Sequence, residues 1–290
     1  MSFQSLEQIC TAAKECPEGF YQAVLREDQK DRQVTEEASR EQMRQMYAAM
    51  KSADAAYDGN LFSASGFVGC DGEKMERFLD EGKGLCGDYI GRVIMRALKM
   101  GECNACMRRI VAAPTAGSCG VLPAVLLTYE ELNRETEERM IEALYVAAGI
   151  GQVIAERASI SGAEGGCQAE IGSASTMAAG ALAYLQGGSP QAVIHAAAMA
   201  LKNLLGLVCD PVAGLVEVPC VKRNVIGAVN AAAASEMAAA GITSVIPPDE
   251  VIDAMQAIGR KIDTSLRETG EGGLAVTPTA RKLTEKLKNM

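Results

Sequence analysis

A chain of 290 residues, 48% hydrophobic and 22% charged, has ordinary globular composition and enough length to bury a sizeable core in one or two domains. Its single His excludes a multi-histidine metal site within one chain and leaves any Ser-His-Asp chemistry resting on His195, while ten Cys fall well short of a disulfide scaffold. The formal charge of -9, from 28 Lys and Arg against 37 Asp and Glu, argues against a nucleic-acid backbone as main partner, because phosphate binding needs concentrated positive charge.

The opening MSFQSLEQICTAAKEC lacks a cationic segment followed by an apolar core, so no secretory signal is expected. Within it, Ser5, Leu6, Glu7 and Gln8 have the pattern of a capping box that opens a helix. Thr35, followed by Glu36 and Glu37, caps a second predicted helix. Its Met43, Met46, Tyr47 and Met50 fall at i, i+3, i+4 and i+7, one apolar stripe, and Gly59 is expected to stop it. Residues 61–90 read as Gly-rich and irregular. Ile110, Val111 and Ala112 make the only short β-like run, too short to found a sheet. Helical periodicity dominates residues 135–159, with Met140, Ile141, Leu144, Ala148 and Ile154 on one broad face. Ser189 reads as an N-cap with Pro190 at the first helical position and Gly206 as the stop. Pro248 opens a further helix bearing Val251, Ile252, Met255, Ile258 and Ile262.

No repeated βα alternation occurs, so an all-α fold is expected rather than a doubly wound one. Residues 1–60 are charged and amphipathic and read as an N-terminal helical arm or layer; residues 61–290 read as one helical catalytic domain with Gly-rich loops. The most apolar stretch, 192–208, is Ala-rich and interrupted by His195 and Lys202, which fits a buried helix better than a membrane span of about 18 apolar residues. A cytoplasmic, reducing location is therefore expected, with the cysteines as thiols or ligands.

The cysteines sort by surroundings. Cys10 and Cys16 lie in or beside the first helix and read as structural thiols. Cys70 and Cys86 sit in Gly-rich loops, and Cys103 and Cys106 form a C-x-x-C with no second pair to complete a zinc site. Cys167, Cys209 and Cys220 differ, because each is embedded in loop-forming sequence: Gly165-Gly166-Cys167, Cys209-Asp210-Pro211 and Val218-Pro219-Cys220. Three thiolates on loops suit an iron–sulfur cluster or a metal, although they match neither the ferredoxin run nor the usual zinc spacing. A second constellation, residues 113–120 (Ala-Pro-Thr-Ala-Gly-Ser-Cys-Gly), leads into an apolar helix over 121–127, with Ser118 as a natural N-cap and small residues that expose backbone N–H groups. It reads either as a carboxylate- or phosphate-binding helix start or as an ordinary capped turn. A third, residues 268–279, is a polar Gly-rich loop without dinucleotide spacing.

Taken together, Asn104 with residues 109–120, the run Glu164-Gly165-Gly166-Cys167-Gln168-Ala169-Glu170, residues 203–220 and Leu266-Arg267-Glu268-Thr269-Gly270 resemble one family. It is the iron–sulfur-dependent L-serine dehydratases (L-serine ammonia-lyases), in particular the alpha subunit of the two-subunit form. The resemblance covers roughly residues 60–282. It implies an all-helical catalytic domain with a [4Fe–4S] cluster whose three ligands map onto Cys167, Cys209 and Cys220, with Cys119 near the site. Two departures stand out. The chain ends Lys-Leu-Lys-Asn-Met, without the terminal cysteine that some single-chain members carry, and the family's Ser-Ser-His-Thr motif is absent. The resemblance thus implies a partner, a beta subunit carrying that motif, within an oligomer.

The implied reaction is loss of water from L-serine, giving pyruvate and ammonia, with the open iron as Lewis acid for the substrate hydroxyl. Asn104, Thr115, Ser118, Cys119, Gly120 and Arg223 are the candidate substrate-binding residues, and Lys222 is a further source of positive charge. Glu170, three residues after Cys167, and Lys202 are the candidate catalytic bases; Lys202 also suits the helix dipole. His195 reads more readily as a satisfied helix histidine, and a base from the beta subunit is an equal alternative. Two other classes stay open: an aconitase-type hydratase of a hydroxy acid, and a non-catalytic subunit that binds a cluster or zinc. A pyridoxal-phosphate enzyme is disfavoured, because no lysine sits in a recognisable Schiff-base setting.

Overall fold

The computed structural model describes residues 3–289. Met1, Ser2 and Met290, the last residue of the ending discussed above, lie outside them. Among the described residues there are thirteen α-helices, a few single turns and no strand; two isolated bridges, Phe62–Gly69 and Cys209–Arg267, are the only sheet-like pairings. The expected all-α fold is what the chain adopts.

Three helices form the N-terminal layer: α1 (Leu6–Ala13), α2 (Phe20–Arg32) and α3 (Glu36–Ala55). Ser5 Oγ accepts from Gln8 N at 3.1 Å, but Gln8 Oε1 returns to Gln4 N, one residue earlier than a capping box requires. Thr35 Oγ1 accepts from Ala38 N at 3.2 Å and starts α3 as expected. Of the predicted α3 stripe, Tyr47 and Met50 are buried and Met43 is half-buried, whereas Met46 is 41% exposed. The helix ends at Ala55, four residues before Gly59. Leu6, Ile9, Phe20, Leu25 and Tyr47 enter the same hydrophobic core as the helices that follow.

The region expected to be irregular contains α4 (Asp71–Asp80) ahead of α5 (Gly87–Ala105). The buried Glu102 carboxylate of α5 accepts from Asp71 N at 2.7 Å and Gly72 N at 3.2 Å, and Tyr57 OH donates to it at 2.7 Å. A carboxylate at a helix start satisfies orphan N–H groups and complements the dipole. That cap comes from thirty residues downstream, so the local pattern could not reveal it. Residues 110–112 form no strand.

The rest of the chain builds the centre: α6 (Val121–Asn133), α7 (Glu137–Arg157), the single turn α8 (Gly162–Gly165), α9 (Ser173–Leu185), α10 (Pro190–Lys202), α11 (Cys220–Ala239), α12 (Pro248–Gly259) and α13 (Pro278–Lys288). Every residue of α9 except Tyr184 is buried, and α6, α7, α10 and α11 pack around it. Its Ala, Gly and Ser side chains allow this approach. A Cβ on Gly180 would collide with Ile150, so the helix-propensity cost of a glycine here is offset by contact. Ser189 Oγ accepts from Ala192 N at 3.2 Å, and α10 stops at Lys202. Two expected apolar positions depart from the pattern: Ala148 is exposed, and Ile262 lies past the end of α12. No helix among the described residues is long and apolar enough to cross a membrane.

Candidate functional site

Cys167 lies between α8 and α9. Gly166, at φ +76, turns the chain where a side chain would strike Leu207 O, and Cys167 then opens a wide π-type turn, residues 168–172, that runs into α9. Such turns are rare and recur at functional sites because they re-aim side chains. Gln168 locks the turn. Its backbone N donates to Leu207 O at 2.9 Å, its Oε1 accepts from Gly206 N at 2.9 Å and its Nε2 donates to Met255 O at 3.0 Å. The segment so held is the one that leads to Cys209.

Cys209 is fixed by its backbone. Its N donates to Leu266 O, and its O accepts from Glu268 N, both at 2.8 Å. Residues 266–268 are thus a clamp on the Cys209 main chain. Asp210, buried, accepts from Leu274 N at 2.8 Å, and its carboxylate lies against Gly273, whose φ of +57 and lack of Cβ make the contact possible. Arg223, in the first turn of α11, donates to Val208 O at 2.7 Å, pairs with Asp210 at 2.9 Å and hydrogen-bonds the Cys167 sulfur. Cys220 is the first residue of α11. The loop before it is anchored through buried Glu217, which accepts from Ser63 Oγ at 2.8 Å and from Ser65 Oγ.

The three loop cysteines lie within electrostatic reach of one another. Cys209 feels the charges of both Cys167 and Cys220, and Cys220 feels that of Cys167. Burial is the largest cause of the upward shift at each thiol: Cys167 is pushed up to about 11, against the lowering influence of Arg223, and Cys220 to about 12, while Cys209 rises well above the usual thiol range. Glu170 shares the recess. Burial raises its carboxyl above the usual range, a hydrogen bond from Thr115 opposes the rise, and Glu268 adds to it. Thr115 Oγ1 donates to Glu170 Oε1 at 2.8 Å, and the Cys209 sulfur lies 4.0 Å from Glu170 Oε2. Gly117 and Gly162 wall this carboxylate. A Cβ on Gly162 would come within 3.0 Å of both Glu170 Oε2 and the Cys209 sulfur. Among the described residues no three His, Cys, Asp or Glu side chains converge closely enough to hold a single metal ion.

The turn over residues 115–120 differs from its expected form. Thr115, not Ser118, is the N-cap; it opens the 3-10 turn Ala116–Ser118, with Ser118 returning a bond to Thr115 N. Ser118 and Cys119 use their N–H groups within that turn, and Gly120 N donates to Asn224 Oδ1 at 2.8 Å. Ala116 and Gly117 keep N–H groups without a partner among the described residues. The Cys119 thiol is fully buried and directed at Met100 O, so it does not face the recess. Gly120 is a packing glycine, its α-carbon hard against Ala97 O.

The remaining candidates lie apart. Asn104 is half-buried in the last turn of α5, and its side chain hydrogen-bonds none of the recess residues. Lys202 ends α10 and makes no hydrogen bond or ion pair with them either, as a dipole-completing lysine would. Lys222 pairs with Asp71. His195 Nδ1 accepts from Ser244 N at 3.2 Å, the satisfied helix histidine foreseen above. Sequence reasoning gave no role to Gln168, Asp210, Glu217 or Asn224. Most of their bonds reach 38 to 154 residues along the chain, and the only local signal is that three of them adjoin the cysteine motifs.

Comparison with known proteins shows a family. The family model described as "Serine dehydratase alpha chain" matches residues 19–275. The probable L-serine dehydratase, alpha chain, of Bacillus subtilis (strain 168) is 46% identical over 285 residues, 98% of this chain and 95% of that protein. The L-serine dehydratase, alpha chain, of Peptoniphilus asaccharolyticus is 41% identical over 266 residues, 91% of each. The longer L-serine dehydratase TdcG of Escherichia coli (strain K12) is 48% identical over 191 residues, 65% of this chain and 42% of that protein.

Proposed function

The chain belongs to the serine dehydratase alpha chain family, and from that premise we propose that it deaminates L-serine to pyruvate and ammonia as the alpha subunit of a two-subunit, iron–sulfur-dependent enzyme. The observation that carries this reading is the set of three thiols whose charges bear on one another, two of them buried, with the Glu170 carboxylate 4.0 Å from the Cys209 sulfur.

The donor set fits a [4Fe–4S] cluster held by Cys167, Cys209 and Cys220. It is sulfur-only and comes from three separate segments of the chain, the turn before α9, the segment after α10 and the first residue of α11. A cluster is larger than one ion, so its ligands need not converge as a single ion's would. When bound, the cluster supplies Lewis acidity at an iron without a cysteine ligand, which helps a poor hydroxide leaving group.

The chain's own residues do the rest. Loss of water from L-serine breaks Cα–H and Cβ–O and leaves aminoacrylate, which tautomerises and adds water to give pyruvate and ammonia. The Cα proton needs a base, and Glu170 is the assigned one. Its burial raises its proton affinity, and Thr115 holds one carboxylate oxygen while the other lies toward Cys209. The unpartnered N–H groups of Ala116 and Gly117 are the assigned donors to the substrate carboxylate, in place of the whole 115–120 turn. Arg223 holds the Cys167 and Cys209 loops together, and its charge favours the thiolate form of Cys167. A beta subunit completes the enzyme and supplies groups that this chain lacks. The test is anaerobic reconstitution with iron and sulfide followed by a pyruvate assay from L-serine, with and without the beta subunit. Pyruvate formed by the reconstituted pair, and not by a cluster-free sample, is the expected result.

A further inference from the structure

Behind the Cys167 turn lies a second recess, on the side away from the thiols. A cavity of about 170 Å³ sits between the α8 turn and the end of α12. Ala158, Ala169 and Met255 give it apolar walls, and Glu164, Gln256 and Arg260 bring polar groups to it. At the measure of about 30 Å³ per liquid water, this is room for roughly five or six waters, the scale of a small metabolite.

Two opposite charges line this cavity without meeting. Neither Glu164 nor Arg260 makes a side-chain hydrogen bond or an ion pair among the described residues. The same surface pairs its charges elsewhere: Arg157, at the end of α7, holds Asp253 of α12 through two bonds, at 3.1 and 2.7 Å. A planar guanidinium matches a carboxylate, and a free carboxylate matches an ammonium. A ligand carrying both, on a short apolar body, matches the two charges and the apolar walls.

We propose that this cavity binds a small zwitterionic α-amino acid, its carboxylate on Arg260, its ammonium on Glu164 and its side chain over Ala169 and Met255. The site bears on catalysis through the wall it shares with the Cys167 turn. Gln168 lines the cavity, and the same residue ties down Gly206 and Leu207, just before Cys209. Occupancy therefore acts on the segments that carry two of the three thiols. The proposal goes beyond the dehydratase reading and does not depend on it.

The test uses the full, cluster-free chain and L-alanine, which lacks a hydroxyl to lose. Backbone amide NMR follows Gly165, Ala169 and Gly259. The expected result is a saturable shift at these residues, weakened at least tenfold in Arg260→Ala and, independently, in Glu164→Gln. N-Acetyl-L-alanine and L-alaninamide, each missing one charge, are expected to bind at least tenfold more weakly. No saturable shift, shifts confined to Ala116 and Gly117, or parental affinity in either variant would overturn the proposal. So would the same shifts produced by inorganic phosphate, which would mark an adventitious anion only. Failure of the dehydratase reading would show instead as absence of pyruvate, with these shifts intact.

Discussion

Thr115 donates a hydrogen bond to Glu170 at 2.8 Å across 55 residues of sequence, and this bond joins the 115–120 turn to the turn that carries Cys167. It holds a buried carboxylate 4.0 Å from the Cys209 sulfur. In the proposed reaction, where Glu170 is the base, this pairing has direct consequences for rate.

Glu170→Gln keeps the size of the side chain and removes the base. Pyruvate formation is expected to fall about 10²- to 10⁴-fold, the usual range for a general base, with iron and sulfide content unchanged. Thr115→Val, which releases the carboxylate and also removes the cap of the 116–118 turn, is expected to cost less, on the order of tenfold in kcat/KM. Equal activity in Glu170→Gln would remove Glu170 as the base.

Gln168 holds three backbone groups at once, two of them with its amide. Gln168→Leu strands Met255 O in a buried setting and frees Gly206 N in a partly buried one. The expected loss of stability is about 1–3 kcal/mol, read from the urea midpoint of the cluster-free chain. A midpoint unchanged from the parent would show that these bonds do not hold the turn.

Gly273→Ala places a methyl group against the Asp210 carboxylate at a left-handed φ of +57. Strain of about 1–3 kcal/mol is expected, with lower cluster occupancy because Asp210 follows Cys209 directly. Gly19→Ala, also at positive φ but with open space around it, separates the two contributions: it carries backbone strain alone.

The free thiols also rank by reactivity. Thiols react as thiolates, so burial slows them twice, by access and by proton affinity. In the cluster-free chain at neutral pH, Cys86, exposed, is expected to be alkylated first and Cys119, buried and pushed up to about 12, last. Mass spectrometry of a time course checks the order. Early labelling of Cys119 would mean that the α5–α6 contact opens.

Local signals were readable where the physics is local. The Thr35 and Ser189 caps act within three residues, and both helices start where the sequence says. The loop settings of Cys167, Cys209 and Cys220 singled out three residues whose charges bear on one another. What stayed hidden depends on distant partners. The start of α4 needs Glu102, the charge of Lys222 is taken by Asp71, and Arg223 faces the cysteine loops where the sequence suggested substrate. Ser118 looked like the cap of its turn because nothing local reveals that Thr115 is the residue bonded to Glu170.

The central claim is that Cys167, Cys209 and Cys220 together hold a cluster that the reaction needs. The most direct measurement is iron and acid-labile sulfide per chain, with the visible spectrum, after anaerobic reconstitution of the parent and of Cys209→Ser. The account expects close to four of each in the parent, with a broad band near 400 nm that air bleaches, and loss of iron, band and pyruvate formation in the variant. Full iron and sulfide in Cys209→Ser with parental activity, or a colourless parent carrying stoichiometric zinc, would contradict it.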